Sequence, residues 1–224
     1  MLLVALTGGI ACGKSVISCL LLEKGCYVHV ADTAARELMS PGTDVWRTVS
    51  DHFGPGVLRE DGTIDRAKLG AIIFSDDKER AFLNGLVHPR IFERIKETVV
   101  RLEKEGRYAI FVSEAALVFE SGFAGFYDKI VVAHCGRDVQ LRRLMERDGI
   151  GRGEALNKVR SQLGQEEKLK HADYTIDTSG TLAETIEQTE RVYAQLVQDS
   201  DLKRKSPSLA RRPGTPVRTD GSMD

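Results

Sequence analysis

The stretch LTGGIACGKSV, residues 6–16, follows directly on an apolar run that starts at Met1, and it restricts the fold more than any other part of the 224-residue chain. Within it, GGIACGKS from Gly8 to Ser15 satisfies G-x-x-x-x-G-K-[ST]. A strand-length run (2–6) precedes it and the helix-like VISCLLLEKG (16–25) follows. Gly8 and Gly13 permit backbone angles that turn successive N–H groups inward, making a concave anion nest. The nest opens a helix whose N-terminus carries partial positive charge and unpaired donors. Lys14 can reach the β- and γ-phosphates of a nucleoside triphosphate, and the Ser15 hydroxyl can ligand Mg²⁺. The loop positions Gly8, Gly9, Ala11, Cys12, Gly13, Lys14, Ser15 and Val16 are therefore expected to hold a nucleotide.

The rest of the chain alternates strands with helices. CYVHVAD (26–32), YAIFVSEA (108–115), KIVVAHC (129–135) and ADYTID (172–177) are further strand candidates. Unbroken apolar runs separated by helical segments imply an α/β protein with a parallel sheet covered on both faces. Residues 33–105 are helical and more charged, too long for a plain crossover, and are expected to form a helical insertion over the sheet edge. A second charge-dense helical stretch, 137–171, is broken by GIGRG, as expected of a mobile corner. The helix 182–198, with Leu182, Ile186, Thr189, Val192, Tyr193 and Leu196 on one face, closes a single domain of about 200 residues. The basic tail after Asp201 is too poor in apolar residues to offset its ordering entropy and is expected to stay disordered.

Composition narrows the partners. A formal net charge of −1 gives no global attraction for nucleic acid or anionic membranes. MLLVAL lacks a basic flank and a cleavage site, and no run approaches the roughly 18 apolar residues of a membrane span, so a cytoplasmic protein is expected. Cys12, Cys19, Cys26 and Cys135 show neither C-x₂-C nor His at zinc spacing, and are read as ordinary buried thiols. The seven-residue spacing of Cys12 and Cys19 would place both on similar helix faces.

Acidic and basic residues at the strand ends suggest phosphoryl transfer. Asp32 closes the second strand on the ligand-binding edge of an open α/β sheet, where it can orient a hydroxyl attacking a γ-phosphate. The alternative reading is a cap for the helix that follows. Arg36, one turn on, can bind an acceptor phosphate or pair with Asp32. Glu114 ends the third strand, where an acid can hold the Mg²⁺ shell. Arg143 and Arg147 are four apart on a helix and project to one side, so at least one can close over the phosphates.

LTGGIACGKS, ADTAAR, DGTIDRAKLGAIIF, HPRIF, LVFE, LRRLMERDGIGRGEA and VRSQLGQEEKLKHADYTID together resemble, in order and spacing, the dephospho-CoA kinase family over about residues 1–195. The resemblance implies a P-loop kinase with a five-stranded parallel core (about 1–32, 106–136 and 172–198), a helical substrate domain (33–105) and a lid (137–171). It further implies transfer of the ATP γ-phosphate to the ribose 3′-hydroxyl of dephospho-CoA, with Mg²⁺, by a monomer or weak oligomer. By position, Asp32 matches the hydroxyl-orienting aspartate, Lys14 and Ser15 the phosphate and metal ligands, and Arg143 and Arg147 the lid. Asp65, Arg66, His88 and Pro89 match the substrate domain. His88 is read either as a substrate contact or as a cap for a helix that Pro89 begins. The chain departs from the family pattern at Val30, where an aspartate is usual, at Ala116 and at Thr178. These departures leave open a nucleotide-binding regulatory protein without turnover, or a kinase of another small alcohol or nucleotide.

Overall fold

The computed structural model describes residues 1–205. Five parallel strands form one sheet: β1 (Leu2–Gly8), β2 (Tyr27–Val30), β3 (Ile110–Glu114), β4 (Lys129–His134) and β5 (Tyr174–Asp177), in the order β2-β3-β1-β4-β5. Around it lie nine helices of the described residues: α1 (Lys14–Glu23), α2 (Ala31–Leu38), α3 (Asp44–Phe53), α4 (Arg66–Ser75), α5 (Asp77–Glu105), α6 (Arg137–Asp148), α7 (Arg152–Arg160), α8 (Gln165–Lys170) and α9 (Leu182–Lys205). This is the three-layer α/β arrangement that the apolar runs imply.

β1 shows why its run is unbroken. All seven of its residues are buried, because both faces are covered. Leu2, Val4 and Leu6 point to one face, where Ile17 and Leu21 of α1 and Val192 and Leu196 of α9 pack. Leu3 and Ala5 point to the other, against Ile95, Val99 and Leu102 of α5. The period-two side-chain alternation thus feeds two separate cores.

Helices α2 to α5 bury their own cluster of Leu38, Val45, Val49, Ile64, Leu69, Leu83 and Val87. α5 belongs to both regions, since its N-terminal half joins this cluster and its C-terminal half lies on the sheet. It runs unbroken through Pro89, whose missing N–H forfeits only the bond to the Gly85 carbonyl. α6 and α7 share a smaller core of Leu141, Leu144 and Ala155.

Several boundaries differ from the sequence reading. β2 ends at Val30, not at residue 32, because Ala31 and Asp32 already form the first turn of α2. Cys12 lies in the loop before α1, so it shares no helix face with the exposed Cys19. α9 continues to Lys205, past the expected end at 198. Lys203 pairs with Asp128 and Arg204 with Asp201, and three basic residues suit the negative end of the helix dipole. Leu182 stays exposed, and Thr185 and Ser200 are buried on the α9 inner face. Of the tail expected to be disordered, residues 201–205 are helix and 206–224 lie outside the described residues. Among the described residues no helix is long and apolar enough to cross a membrane.

Candidate active site

The register places three functional segments at one edge of the sheet. Leu6 of β1 and Val30 of β2 both lie level with Glu114 of β3. The loop after β1, the start of α2 and the acid at the end of β3 therefore meet outside the carboxyl ends of the strands.

The loop conformation explains its glycines. Gly8 has φ 144°, and a Cβ there would stand 2.0 Å from the Ala133 carbonyl oxygen of β4. Gly13 has φ 72° and caps α1 with no side-chain bond, leaving the first N–H groups of that helix for a ligand. Ala11, with φ 60°, is a non-glycine residue held in the left-handed region. That conformation is costly outside glycine and is sustained here by the loop's surroundings.

Those surroundings are mostly amides. The Ile10 N–H donates to Gln162 Oε1 at 2.8 Å, and Gln140 Nε2 donates to the Ile10 carbonyl at 2.9 Å. Thr178 Oγ1 reaches the Cys12 carbonyl (3.3 Å) and the His134 carbonyl (3.1 Å), so Thr178 is a strut beneath the loop. Lys14 Nζ lies 3.1 Å and 3.0 Å from the carbonyls of Gly8 and Gly9. Burial pulls the Lys14 pKa below its ordinary value, while the charges of Glu114 and Asp32 oppose that shift. Ser18 Oγ donates to Glu114 Oε2 at 2.6 Å, which fixes the carboxylate beside α1. Ser15 is exposed at the start of the same helix.

Lys14, Asp32, His88 and Arg147 line one cavity of about 400 Å³ together with Gln162. Most of its remaining wall is apolar, with Met39, Leu83, Ile91, Val118 and the stacked pair Phe92 and Phe123 at 3.9 Å between ring centres, and Asn84 and Ser121 add polar groups. Asp32 is exposed in the first turn of α2, where Val30 is the N-cap and no side chain makes a capping bond, so it is not a cap. Arg36 is exposed and, among the described residues, forms no ion pair with Asp32. His88 sits mid-helix in α5 and so does not cap a helix starting at Pro89. Burial lowers its pKa, with the Glu120 charge opposing.

The two arginines of α6 separate. Arg147 lines the cavity and pairs with Asp148 at 2.8 Å. Arg143 instead donates to Thr178, through Nη2 to its carbonyl at 2.7 Å and Nη1 to Oγ1 at 3.1 Å. Asp65 caps α4 by accepting from the N–H groups of Ala67 and Lys68. Arg66 follows it, outside the cavity wall, and its pKa is lowered by partial burial and then by the charges of Arg36 and Arg59. Arg36, Arg59 and Arg66 thus lie within charge reach of one another, and Arg59 carried no signal in the sequence.

Lys168 and three glutamines were also missed. Lys168 is fully buried, donates to the Ala116 carbonyl at 2.7 Å and pairs with Glu120 at 2.9 Å. Gln165 donates to the Cys135 carbonyl (3.1 Å), and its Oε1 accepts the Cys135 N–H (3.0 Å). The only signal for Lys168, Gln162 and Gln165 was their place in QLGQEEKLK, a segment that also suits a solvated helix, and Gln140 lies in the equally charged RDVQLRRL.

The family described as dephospho-CoA kinase matches residues 2–184. A dephospho-CoA kinase of Geobacillus kaustophilus is 44% identical over 82% of this chain and 91% of its own length. One of Syntrophus aciditrophicus is 38% identical over 96% of this chain and 92% of its own. Among solved structures, dephospho-CoA kinase from Campylobacter jejuni superposes with a TM-score of 0.63 at 28% identity, covering 88% of this chain and 98% of that one.

Proposed function

Because this chain belongs to the dephospho-CoA kinase family, we propose that Asp32, Lys14 and Arg147 carry the transfer of the ATP γ-phosphate to the ribose 3′-hydroxyl of dephospho-CoA. The protein is an ATP-dependent kinase of a hydroxyl acceptor. The convergence of a loop lysine, an uncapped carboxylate and a lid arginine on one cavity supports these assignments.

Loop residues Gly8, Gly9, Ala11, Cys12, Gly13 and Val16 shape the nest for the phosphates of ATP. Lys14 leaves the Gly8 and Gly9 carbonyls and turns to the β- and γ-phosphate oxygens. Asp32 accepts a hydrogen bond from the 3′-hydroxyl and aligns its oxygen with the phosphorus, which suffices because the transition state is largely dissociative. Arg147 exchanges Asp148 for the transferring phosphoryl group and neutralises charge that spreads onto its oxygens. Arg143 acts through Thr178 on the shape of the loop. Arg36 and Arg66, with Arg59, suit the diphosphate of the acceptor, and the apolar wall with His88 suits its adenine and pantetheine arm.

Among the described residues no group of three or more His, Cys, Asp and Glu forms a metal cage. A lone hydroxyl on Ser15 and the carboxylate of Glu114 fit Mg²⁺, which keeps several waters and takes phosphate oxygens as its other ligands. When bound, held by Ser15 and Glu114, the ion would neutralise charge that develops on the phosphate oxygens. We assign residues 33–105 to acceptor binding and 137–171 to the lid, and place the protein in the cytoplasm as a monomer or weak oligomer.

The test offers dephospho-CoA beside AMP, CMP, adenosine and shikimate with ATP and Mg²⁺, using Asp32→Asn as control. Turnover confined to dephospho-CoA and lost in the variant is expected. Nucleotide binding without turnover on any acceptor would instead favour a regulatory protein that has kept the fold and lost the reaction.

A further inference from the structure

Two of the four cysteines meet inside the nucleotide loop. Cys12 of the loop and Cys135, just after β4, are both buried, and their sulfurs lie 3.6 Å apart although 123 residues separate them. Cys19 is exposed and Cys26 is buried, both free and outside this contact. We propose that Cys12 and Cys135 form an oxidation site for hydroperoxides, whose disulfide deforms the phosphate nest and shuts off nucleotide binding.

The geometry assigns the roles. Cys135 donates to Cys12 Sγ, and Cys12 Sγ donates to Gln165 Oε1 at 3.4 Å. When Cys135 loses its proton, the Cys12 S–H can turn onto it. This hydrogen bond lowers the Cys135 thiol, against the cost of burial and with help from the Arg143 charge. The same coupling pushes Cys12 upward. With the Arg143 charge near it, Cys135 is the attacking sulfur, and Cys12, whose S–H is held by Gln165 Oε1, is the resolving one.

The steps balance. The Cys135 thiolate attacks one oxygen of hydrogen peroxide, the O–O bond breaks, and hydroxide leaves with a proton as water. The resulting sulfenic acid is attacked by Cys12, which gives up its proton, and a second water departs. Two thiols are oxidised, one peroxide is reduced, and no other reactant is needed.

A disulfide draws the sulfurs to about 2.05 Å, so the contact must close by roughly 1.5 Å. The Cys135 backbone is held on both sides by Gln165, through its N–H and its carbonyl. The loop must therefore yield, and Gln165 loses the Cys12 S–H. Loop N–H groups aimed at phosphate move with Cys12, and losing one such charge-assisted bond weakens nucleotide affinity by about tenfold or more.

The experiment uses the full chain carrying Cys19→Ser, treated with hydrogen peroxide, alkylated and digested for mass spectrometry. A peptide joining Cys12 to Cys135 is expected, with ATP affinity falling about tenfold or more and returning with dithiothreitol. Cys135→Ala should bind ATP normally and resist peroxide. Cys12 and Cys135 both still alkylated after peroxide, along with Cys26, at doses that fully oxidise Cys19 in the unsubstituted chain, would overturn the site. A cross-linked protein with unchanged ATP affinity would overturn its effect. Both readouts are independent of the acceptor, so they stand apart from the kinase assay.

Discussion

Arg143 grips Thr178 at two points, 2.7 Å at its carbonyl and 3.1 Å at its hydroxyl, while Thr178 stands under the Cys12 carbonyl. Arg147, one turn along the same helix, lines the cavity instead. The two arginines should therefore fail differently. Arg147→Ala should lower kcat by about a hundredfold, with little change in KM for ATP, because its charge is needed in the transition state. Arg143→Ala should raise the ATP KM by about tenfold and leave most of kcat, because it loosens the loop that binds ground state and transition state alike. Steady-state kinetics with ATP varied at saturating acceptor separates the two patterns. A large kcat loss in Arg143→Ala would place that arginine over the phosphates.

Lys168 is a fully buried ammonium held by Glu120 and the Ala116 carbonyl. Glu120 also accepts the Leu163 N–H at 2.8 Å, so α8 and the segment before it are both tied to the loop after β3. Removing the ammonium takes from Glu120 the counter-charge that the Leu163 N–H cannot replace, and Lys168→Met should cost roughly 3 kcal/mol of unfolding free energy. Urea denaturation reads this directly. A loss below about 1 kcal/mol would show that water replaces the ammonium without penalty.

Gly8 is fixed by space as well as by angle. A Cβ would lie 2.0 Å from the Ala133 carbonyl oxygen, a backbone atom that can move only by parting β1 from β4. Gly8→Ala should abolish soluble folded protein, or lower the melting temperature by at least 10 °C, the effect of about 3–5 kcal/mol. Gly25→Ala is the comparison, because no atom lies within 4 Å of the Cβ it would add and only its positive φ is strained. Similar melting temperatures for the two would remove the steric account.

The parallel sheet was legible because strands buried on both faces leave unbroken apolar runs. Helix ends were less so, since α9 runs to Lys205 with an ion pair from Lys203 to Asp128 that only the fold brings together. The nucleotide loop is readable because its chemistry is local, with glycines, lysine and serine contiguous in the chain. The amides that brace it are not, because Gln162 meets Ile10 across 152 positions and Gln140 across 130. Lys168 was hidden for a further reason. In QEEKLK it has the composition of a solvated helix, and only tertiary packing turns its ammonium inward.

The last prediction concerns acid. Burial lowers the pKa of both His29 and His88, with the Glu37 charge opposing at the first and Glu120 at the second. His29 Nδ1 is buried and has no partner among the described residues, and it lies on β2 over Phe111. For a base depressed in the folded state, the unfolded chain binds more protons between the two pKa values, so stability rises with pH across that interval. The contribution is complete above the unfolded value of about 6.5 and is lost progressively as pH falls below it. Carboxylates lowered by hydrogen bonds, such as Asp65 and Asp148, act only nearer pH 4, which separates the two effects. Urea unfolding at about pH 7.5, 6.5 and 5.5 should show stability dropping over the lower interval. The double variant His29→Gln, His88→Gln should flatten that drop while leaving the acid limb near pH 4 in place. An unchanged slope in the double variant would mean that both imidazoles reach solvent and titrate as they do in the unfolded chain.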